Sequence, residues 1–198
     1  MLLSRAARDE ETVESVCIRG ADLSGTHYEG LRLRGVRLEG CRLTGGCWER
    51  TDFADVVLDS CELSGSGWRD AFFERVELTS CKAVGADFAA TGWREVNFRD
   101  CRLSDAVFDQ ARLRRVAVSG CDLTGASFCD CQWKGWTLTR TVLRSAGFLH
   151  TPLMGLDLTG CELDGIAVSD TNAELRGAIV TIEQAAMLAK RLGIVIKT

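Results

Sequence analysis

The chain has 198 residues, of which 46% are hydrophobic and 26% charged, and its formal net charge is −4. This composition is typical of a soluble folded protein, and the charge gives no general attraction to nucleic acid or to anionic membranes. No apolar run approaches the roughly 20 residues of a membrane span, and the acidic N-terminal stretch does not resemble a signal peptide, so we expect a cytoplasmic protein.

Residues 1–15 come before any repeat, and we expect them to form an N-terminal cap. From residue 16 to residue 170 the sequence has a period of five. A large apolar residue occupies every fifth position from Ile18 to Val168, which is 31 positions in one register, and only Ala83 is small. A smaller residue stands two positions before each. Helices show a period of 3.6 and strands a period of 2, so this pattern predicts neither element alone.

The segments ADLSG (21–25), CRLTG (41–45) and CDLTG (121–125) carry this period. Together with the unbroken register they resemble the pentapeptide-repeat family. The resemblance implies an all-β fold, a right-handed quadrilateral β-helix in which four pentapeptides form the four sides of one coil. Residues 16–170 would then form about eight coils, with the large and small residues pointing inward and the other three outward.

Sorting the sequence by 20 residues separates four unlike columns, one for each side of such a coil. We name three sides after these columns and call the fourth, which mixes aromatic residues with leucines, the basic side. The valine side stacks Val36, Val56, Val76, Val96 and Val116; the cysteine side stacks Cys41, Cys61, Cys81, Cys101, Cys121 and, after Thr141, Cys161; the aromatic side stacks Tyr28, Trp48, Trp68, Phe88, Phe108, Phe128 and Phe148; the basic side includes Phe53, Phe73, Trp93 and Trp133. At a strand spacing of about 4.8 Å per coil, the rod would be roughly 37 Å long.

Two residues interrupt the pattern near its end. Trp136 is too large for a small slot, and Pro152, the only proline, lies at an outward position of the same coil. We expect a local distortion near residues 136–152, as a kink or as a bulge.

The ten cysteines are expected to stay reduced. In the column they would act as small buried apolar fillers. Cys131 falls inside and Cys129 outside, which argues against a shared metal, while Cys17 and Cys47 fall at exposed positions.

After residue 170 the register stops, and residues 171–198 are predicted to form a short extended stretch, a helix and a strand. Thr181 and Gln184 fit a capping box at the start of the helix. Ala185, Leu188 and Leu192 fit one apolar stripe along it.

This C-terminal segment is similar to the dimerisation segment of the quinolone-resistance pentapeptide-repeat proteins. The shared pattern is Leu175, Gly177, Gln184, Ala185, Leu188, Arg191, Leu192, Gly193 and Ile194. The resemblance implies an end-to-end homodimer and binding to type II topoisomerases, chiefly DNA gyrase. The expected dimer interface comprises Leu175, Ile179, Ile182, Ala185, Leu188, Leu192, Ile194 and Ile196. The alternative is an intramolecular cap on a monomer.

In that family an acidic rod is held to resemble duplex DNA, and the charges of the predicted sides bear on this idea. The aromatic side has seven outward acids against two arginines, while the basic side has eight cations against four acids. The candidate gyrase-binding stripe is Glu49, Asp70, Asp87, Asp109, Asp130 and Asp170. Duplex DNA of the same length would carry roughly 22 charges, so charge mimicry would be partial. A mixed solvated surface remains the alternative, and the unbroken register leaves no room for projecting loops.

No catalytic or metal-binding constellation is found in the sequence. His27 and His150 fall at distant outward positions, so we predict no enzyme, no metal site and no cofactor. Two functions are kept: a topoisomerase-binding partial DNA mimic that protects gyrase from quinolones or a natural poison, and a structural interaction module with an unrelated client. For both functions we expect a protein partner and no direct binding to nucleic acid or to a membrane.

Overall fold

The computed structural model describes residues 2–9 and 11–197, so the parts of the expected cap and C-terminal segment at residues 1, 10 and 198 lie outside the described residues. A helix, α1 (Leu2–Asp9), precedes a series of short strands. The strands are β1 (Thr12–Glu14), β2 (Cys17–Arg19), β3 (His27–Glu29), β4 (Arg32–Arg34), β5 (Arg37–Glu39), β6 (Cys47–Glu49), β7 (Asp52–Ala54), β8 (Val57–Asp59), β9 (Phe72–Glu74), β10 (Glu77–Thr79), β11 (Gly92–Arg99), β12 (Arg112–Ser119), β13 (Gln132–Thr139), β14 (Thr141–Val142) and β15 (Cys161–Glu162). A 3₁₀ turn (Ala173–Leu175) and a helix, α2 (Ile182–Lys190), follow.

Strand pairing confirms the predicted solenoid. All described strand pairs are parallel, and each partner lies 20 residues away, as where Leu33 aligns with both Val13 and Phe53. On the cysteine and aromatic sides the ladder consists largely of single bridges, such as that between Asp22 and Arg42. The chain therefore rises by one coil every 20 residues, and the pentapeptides form its four sides.

The corners between sides depend on left-handed backbone at the fifth residue of nearly every pentapeptide. Gly25 has a φ of 62°, and Asp55 takes a similar value of 57°. Glycine adopts this region without a steric penalty, whereas other residues are less favoured there. This requirement explains why glycine recurs at the end of so many repeats.

The inward residues form the predicted buried ladders. Trp48, Trp68 and Trp93 are at most 1% exposed. Rings in neighbouring coils stack, with centroids 4.0 Å apart for Phe73 and Trp93 and 5.0 Å apart for Phe108 and Phe128. Aromatic pairs at these separations add stabilisation beyond the area that they bury.

At the N-terminal end, α1 covers the first coil with Leu3 and Ala6, both buried in the core. The side-chain oxygens of Ser4 and Tyr28 lie 3.2 Å apart in a hydrogen bond. Strand β1 already pairs with β4, so the ladder extends upstream of the expected start at residue 16.

The distortion expected near residues 136–152 is an exchange of two tryptophans. Trp136 is 4% exposed, and its ring centroid lies 5.1 Å from that of Phe128. Trp133, at the regular inward position, is only half-buried, and its indole N–H donates to the carbonyl oxygen of Pro152 at 2.6 Å. The backbone register with β12 is kept throughout β13. Because the interior has room for one indole at this level, the bulge is confined to side chains.

The C-terminal strand was predicted wrongly. Residues 191–197 form a turn followed by irregular chain, although α2 begins and ends close to its predicted bounds. A strand needs a neighbouring edge for its backbone groups, and no described segment lies beside residues 194–197 in this role.

Candidate functional site

The outward positions of the aromatic side hold the predicted acidic stripe. Among the described residues, Glu49, Asp70, Asp109 and Asp170 form no ion pair; Asp87 pairs with Arg69 at 2.6 Å, and Asp130 lies 3.1 Å from the imidazole of His150. These carboxylates share one side because each falls at an outward position of an aromatic-side pentapeptide, Glu49 and Asp109 at the fourth position and Asp70 and Asp170 at the fifth. Four carboxylates without an ion-pair partner among the described residues are therefore spread along the rod.

Asp109 is held in place by two hydrogen bonds. One of its oxygens accepts hydrogen bonds from the Ser127 hydroxyl at 2.5 Å and from the backbone N–H of Cys129 at 2.9 Å. Both donors belong to the next coil. The half-buried carboxylate is thus held against the next coil of the rod.

The basic side contains ion pairs between successive coils. Arg75 contacts Asp55 at 2.6 Å, Arg94 contacts Glu74 at 3.2 Å, and Arg115 pairs with Glu95. The hydrogen bond from Arg75 holds the pKa of Asp55 below its ordinary value. Five other cations of this side form no ion pair among the described residues: Arg32, Arg34, Arg112, Arg114 and Lys134. The charge separation between adjacent sides therefore remains after the local pairs are removed.

The C-terminal segment exposes most of the residues assigned to the dimer interface. Ile182 is 85% exposed and Leu192 63% exposed. The exposed members are Ile179, Ile182, Ala185, Leu192, Ile194 and Ile196, to which the structure adds Val195. The other two, Leu175 and Leu188, are half-buried against the core of the last coil.

The three residues of the predicted apolar stripe differ in exposure: Leu188 packs against the core, whereas Ala185 and Leu192 are exposed. The helix is oriented by two polar side chains whose contacts the sequence did not reveal. The Gln184 amide donates to the carbonyl oxygens of Leu158 and Cys161 at 2.8 and 2.9 Å, and the Arg191 guanidinium donates to that of Ile166 at 2.6 Å. These carbonyls lie at the open end of the solenoid, where no further coil satisfies them.

The capping box at the start of α2 is confirmed. Thr181 accepts from the backbone N–H of Gln184 at 3.2 Å, and the Gln184 side chain accepts from the backbone N–H of Thr181 at 2.8 Å. The side-chain oxygen of Gln184 thus caps the start of the helix. Its side-chain nitrogen attaches the helix to the last coil.

The cysteine column consists of free, buried thiols. The thiols of Cys61 and Cys81 donate to carbonyl oxygens of the preceding coil, at 3.3 and 3.4 Å. Burial raises the pKa of Cys131 to about 12 and that of Cys161 to about 11. Cys17 is exposed, whereas Cys47 and Cys129 are half-buried.

Within residues 2–9 and 11–197, no group of three or more His, Cys, Asp or Glu side chains is arranged to hold a metal ion. In the same residues no helix is long and apolar enough to cross a membrane.

Comparisons with known proteins identify the repeats. A family model described as pentapeptide repeats (8 copies) matches residues 17–53, and one described as a pentapeptide repeat region matches residues 71–148. Together they cover more than half of the chain. No curated protein matches the sequence.

Solved structures of similar proteins have low identity and low TM-scores. Trypsin-treated QnrB1, a plasmid-mediated fluoroquinolone resistance protein, is 19% identical over 94% of this chain and 100% of its own, with a TM-score of 0.36. HetL, from the cyanobacterium Nostoc and involved in heterocyst differentiation regulation, is 21% identical over 85% of this chain and 89% of its own, with a TM-score of 0.42. A protein of the Arabidopsis thaliana thylakoid lumen is 22% identical over 69% of this chain and 71% of its own, with a TM-score of 0.32.

The matched repeats, the 20-residue strand register and the buried ladders agree with one another. The chain belongs to the pentapeptide-repeat proteins, whose members are generally non-catalytic interaction modules.

Proposed function

We propose that this protein binds a type II topoisomerase, DNA gyrase in the first place, as a partial DNA mimic, and protects it from quinolones or from a natural topoisomerase poison in the cytoplasm. The observation that carries the proposal is the line of unpaired carboxylates on the aromatic side, at Glu49, Asp70, Asp109 and Asp170. A topoisomerase surface that accepts the phosphates of DNA offers many cations, and carboxylates spread along one side of a rod complement it.

The end of the rod supports the same proposal through an assembly. We infer that two copies associate end to end through the exposed apolar residues of the C-terminal segment. Ile179, Ile182, Leu192, Ile194 and Val195 are between 49% and 85% exposed and lie close together in sequence. An apolar cluster of this kind at one end of a soluble protein is typical of an interaction surface. Two rods joined there would extend the acidic stripe to about twice its length.

A supercoiling assay with purified gyrase, with and without ciprofloxacin, tests the proposal. We expect the protein at micromolar levels to inhibit supercoiling or to restore it under the drug. The double variant Asp70→Lys with Asp109→Lys should weaken this effect at least tenfold, because it reverses two unpaired charges of the stripe.

The matched control is Glu77→Lys with Asp105→Lys. It makes the same change in net charge on the other two sides, and Asp105 has the same left-handed backbone as Asp70, with φ of 57° and 58°. If both double variants lose their effect on gyrase equally, the acidic stripe does not take part in binding. If the unmodified protein has no effect on gyrase, the proposal is wrong.

The second candidate is a structural interaction module with another client. It is favoured by the pairing of Asp87 with Arg69, which leaves a lower charge density than that of DNA. Capture of a different partner, lost in the stripe variant while gyrase is unaffected, would favour this candidate.

A further inference from the structure

The basic side changes character along the rod. In the outward column that runs through Glu74, the next positions one coil apart are Arg94, Arg114 and Lys134, aligned in strand register. Glu74 neutralises Arg94, but no carboxylate pairs with Arg114 or Lys134 among the described residues. Like charges directly opposite in a sheet are destabilising, so this column opposes the stability of the rod.

The neighbouring corner column shows the contrast. There Asp55 stands below Arg75 and Glu95 below Arg115, and both couples form ion pairs between coils. The fold thus readily accommodates alternating charges on this side. The exposed Arg112 adds a further unpaired cation beside Arg114. We call Arg94, Arg112, Arg114 and Lys134 the basic strip.

A notch of about 400 Å³ opens beside the strip, lined among others by Phe72, Gly92, Arg94, Arg112 and Arg114, with Asp70 at its edge. Gly92 keeps the notch open over a half-buried aromatic ring, because a Cβ atom at this position would lie 2.5 Å from the ring of Phe72. The guanidinium of Arg94 lies 5.7 Å from the centre of that ring.

A second half-buried aromatic side chain, Trp133, stands at the other end of the strip, where Trp136 displaces it from the interior. The strand register places Phe72 three coils below the level of Gln132, which is about 14 Å at the spacing of β-strands. A row of cations between two partly exposed rings matches a nucleic-acid strand. Such a strand carries one negative charge per nucleotide and has planar bases beside its backbone.

We propose that the basic strip binds the phosphodiester backbone of nucleic acid, with Phe72 and Trp133 as stacking surfaces for unpaired bases. The guanidinium groups of Arg112 and Arg114 contact phosphate oxygens, for which their planar donor geometry is suited. An acidic polypeptide would meet the cations but would leave the two aromatic surfaces without a planar partner. This inference does not rest on gyrase binding, because the cations and rings of the strip lie on the basic side, although Asp70 of the acidic stripe borders the notch.

Fluorescence anisotropy of the full-length protein with a labelled single strand of about 20 nucleotides tests the proposal, with a duplex of equal length and a labelled polyglutamate peptide as parallel probes. We expect the single strand to bind in the micromolar range or more weakly, and its affinity to fall about 20- to 50-fold between 50 and 200 mM salt, for three to four phosphate contacts. Tighter binding of the single strand than of the duplex is expected from stacking, and Phe72→Leu should remove that preference.

The charge variant is Arg112→Glu with Arg114→Glu, which should weaken single-strand binding more than tenfold. Its matched control is Arg42→Glu with Arg102→Glu on the opposite cysteine side, which changes the net charge equally and should alter affinity less than twofold. If circular dichroism shows that the charge-reversed strip does not fold, the neutral pair Arg112→Gln with Arg114→Gln takes its place. The proposal would be overturned if the strip variant and the control lost affinity for the single strand equally. It would also be overturned if polyglutamate bound more tightly than nucleic acid, or if binding did not depend on salt.

Discussion

A single side chain decides the local shape of the rod near its C-terminal end. Trp136 occupies a slot that holds valine in the five preceding coils, and its ring takes the interior volume that Trp133 would otherwise fill. Its indole nitrogen is buried without a hydrogen-bond partner among the described residues, while that of Trp133 reaches Pro152. The exchange therefore costs one unsatisfied donor but leaves the strand register intact.

We predict that Trp136→Ala lowers the free energy of unfolding by about 3–5 kcal/mol, the usual cost of removing a buried aromatic side chain. The matched variant Trp133→Ala should cost about 1 kcal/mol, because its ring is already half-exposed. Urea denaturation followed by circular dichroism measures both. A larger loss for Trp133→Ala would show that the exchange does not occur.

The buried thiols make the rod sensitive to alkali. Burial raises the pKa of Cys41, that of Cys131 to about 12 and that of Cys161 to about 11, from an ordinary value of 9.0. A thiol with a raised pKa keeps its proton in the folded chain at pH values where the unfolded chain loses it. The unfolded state then binds fewer protons, so stability falls as the pH rises above about 9.

We therefore expect the free energy of unfolding to decrease steadily between about pH 9 and pH 12 in denaturant titrations under reducing conditions. Cys131→Ala should reduce the slope, and the same change at the exposed Cys17 should leave it unaltered. Equal slopes in the unmodified protein and in Cys131→Ala would contradict the assignment of the effect to this thiol.

At the scale of elements, α2 is held on the solenoid more by polar contacts than by apolar packing. Gln184 completes the capping box and also satisfies two carbonyl oxygens of the last coil, while Arg191 satisfies a third. Only Met187 and Leu188 of the helix pack against the core. The outer face of α2 is consequently left free for a partner.

Gln184→Ala should detach the helix more effectively than Thr181→Ala does. Loss of the threonine cap costs about 1 kcal/mol, whereas removal of the glutamine also leaves the carbonyl oxygen of Cys161 without its partner, at about 1–3 kcal/mol, while that of Leu158 keeps the backbone N–H of Cys161. Amide hydrogen exchange should show lost protection across residues 182–190 with the coils unchanged. Equal protection in the two variants would mean that the contacts to the last coil are unimportant.

At the scale of the whole molecule, the two ends of the rod differ. Helix α1 buries Leu3 and Ala6 over the first coil, while the C-terminal segment leaves apolar residues in solvent. The rod is also polarised across its width, since unpaired carboxylates follow one side and unpaired cations the next. These features predict separate surfaces for end-to-end assembly and for charged partners.

Ile182→Glu should convert the proposed dimer into a monomer of 21.6 kDa, because the charge would lie in the centre of the apolar contact. Sedimentation velocity at micromolar concentration measures the mass. The control Leu149→Glu places the same charge at an exposed apolar position of a coil and should leave the dimer intact. A monomeric unmodified protein would disprove the end-to-end association.

Much of the fold could be predicted because its geometry repeats. The register from Ile18 to Val168, the cysteine and aromatic ladders and the capping box at Thr181 all follow from patterns of short period. The orientation of α2 could not, since it depends on hydrogen bonds from Gln184 to residues 23 and 26 positions earlier. The strand expected at residues 194–197 is absent because strand formation needs a paired edge, which the residues themselves do not supply.

The amino-acid sequence was sufficient to establish the number of residues per coil, the positions that regularly face inward, and the charges that share a side, because each of these depends only on position within a fixed period. The tertiary structure alone decided which of those charges are neutralised, which of Trp133 and Trp136 fills the interior, and which face of α2 is exposed. Those outcomes depend on distances between side chains of different coils and on competition for one interior volume. A one-dimensional period contains neither quantity.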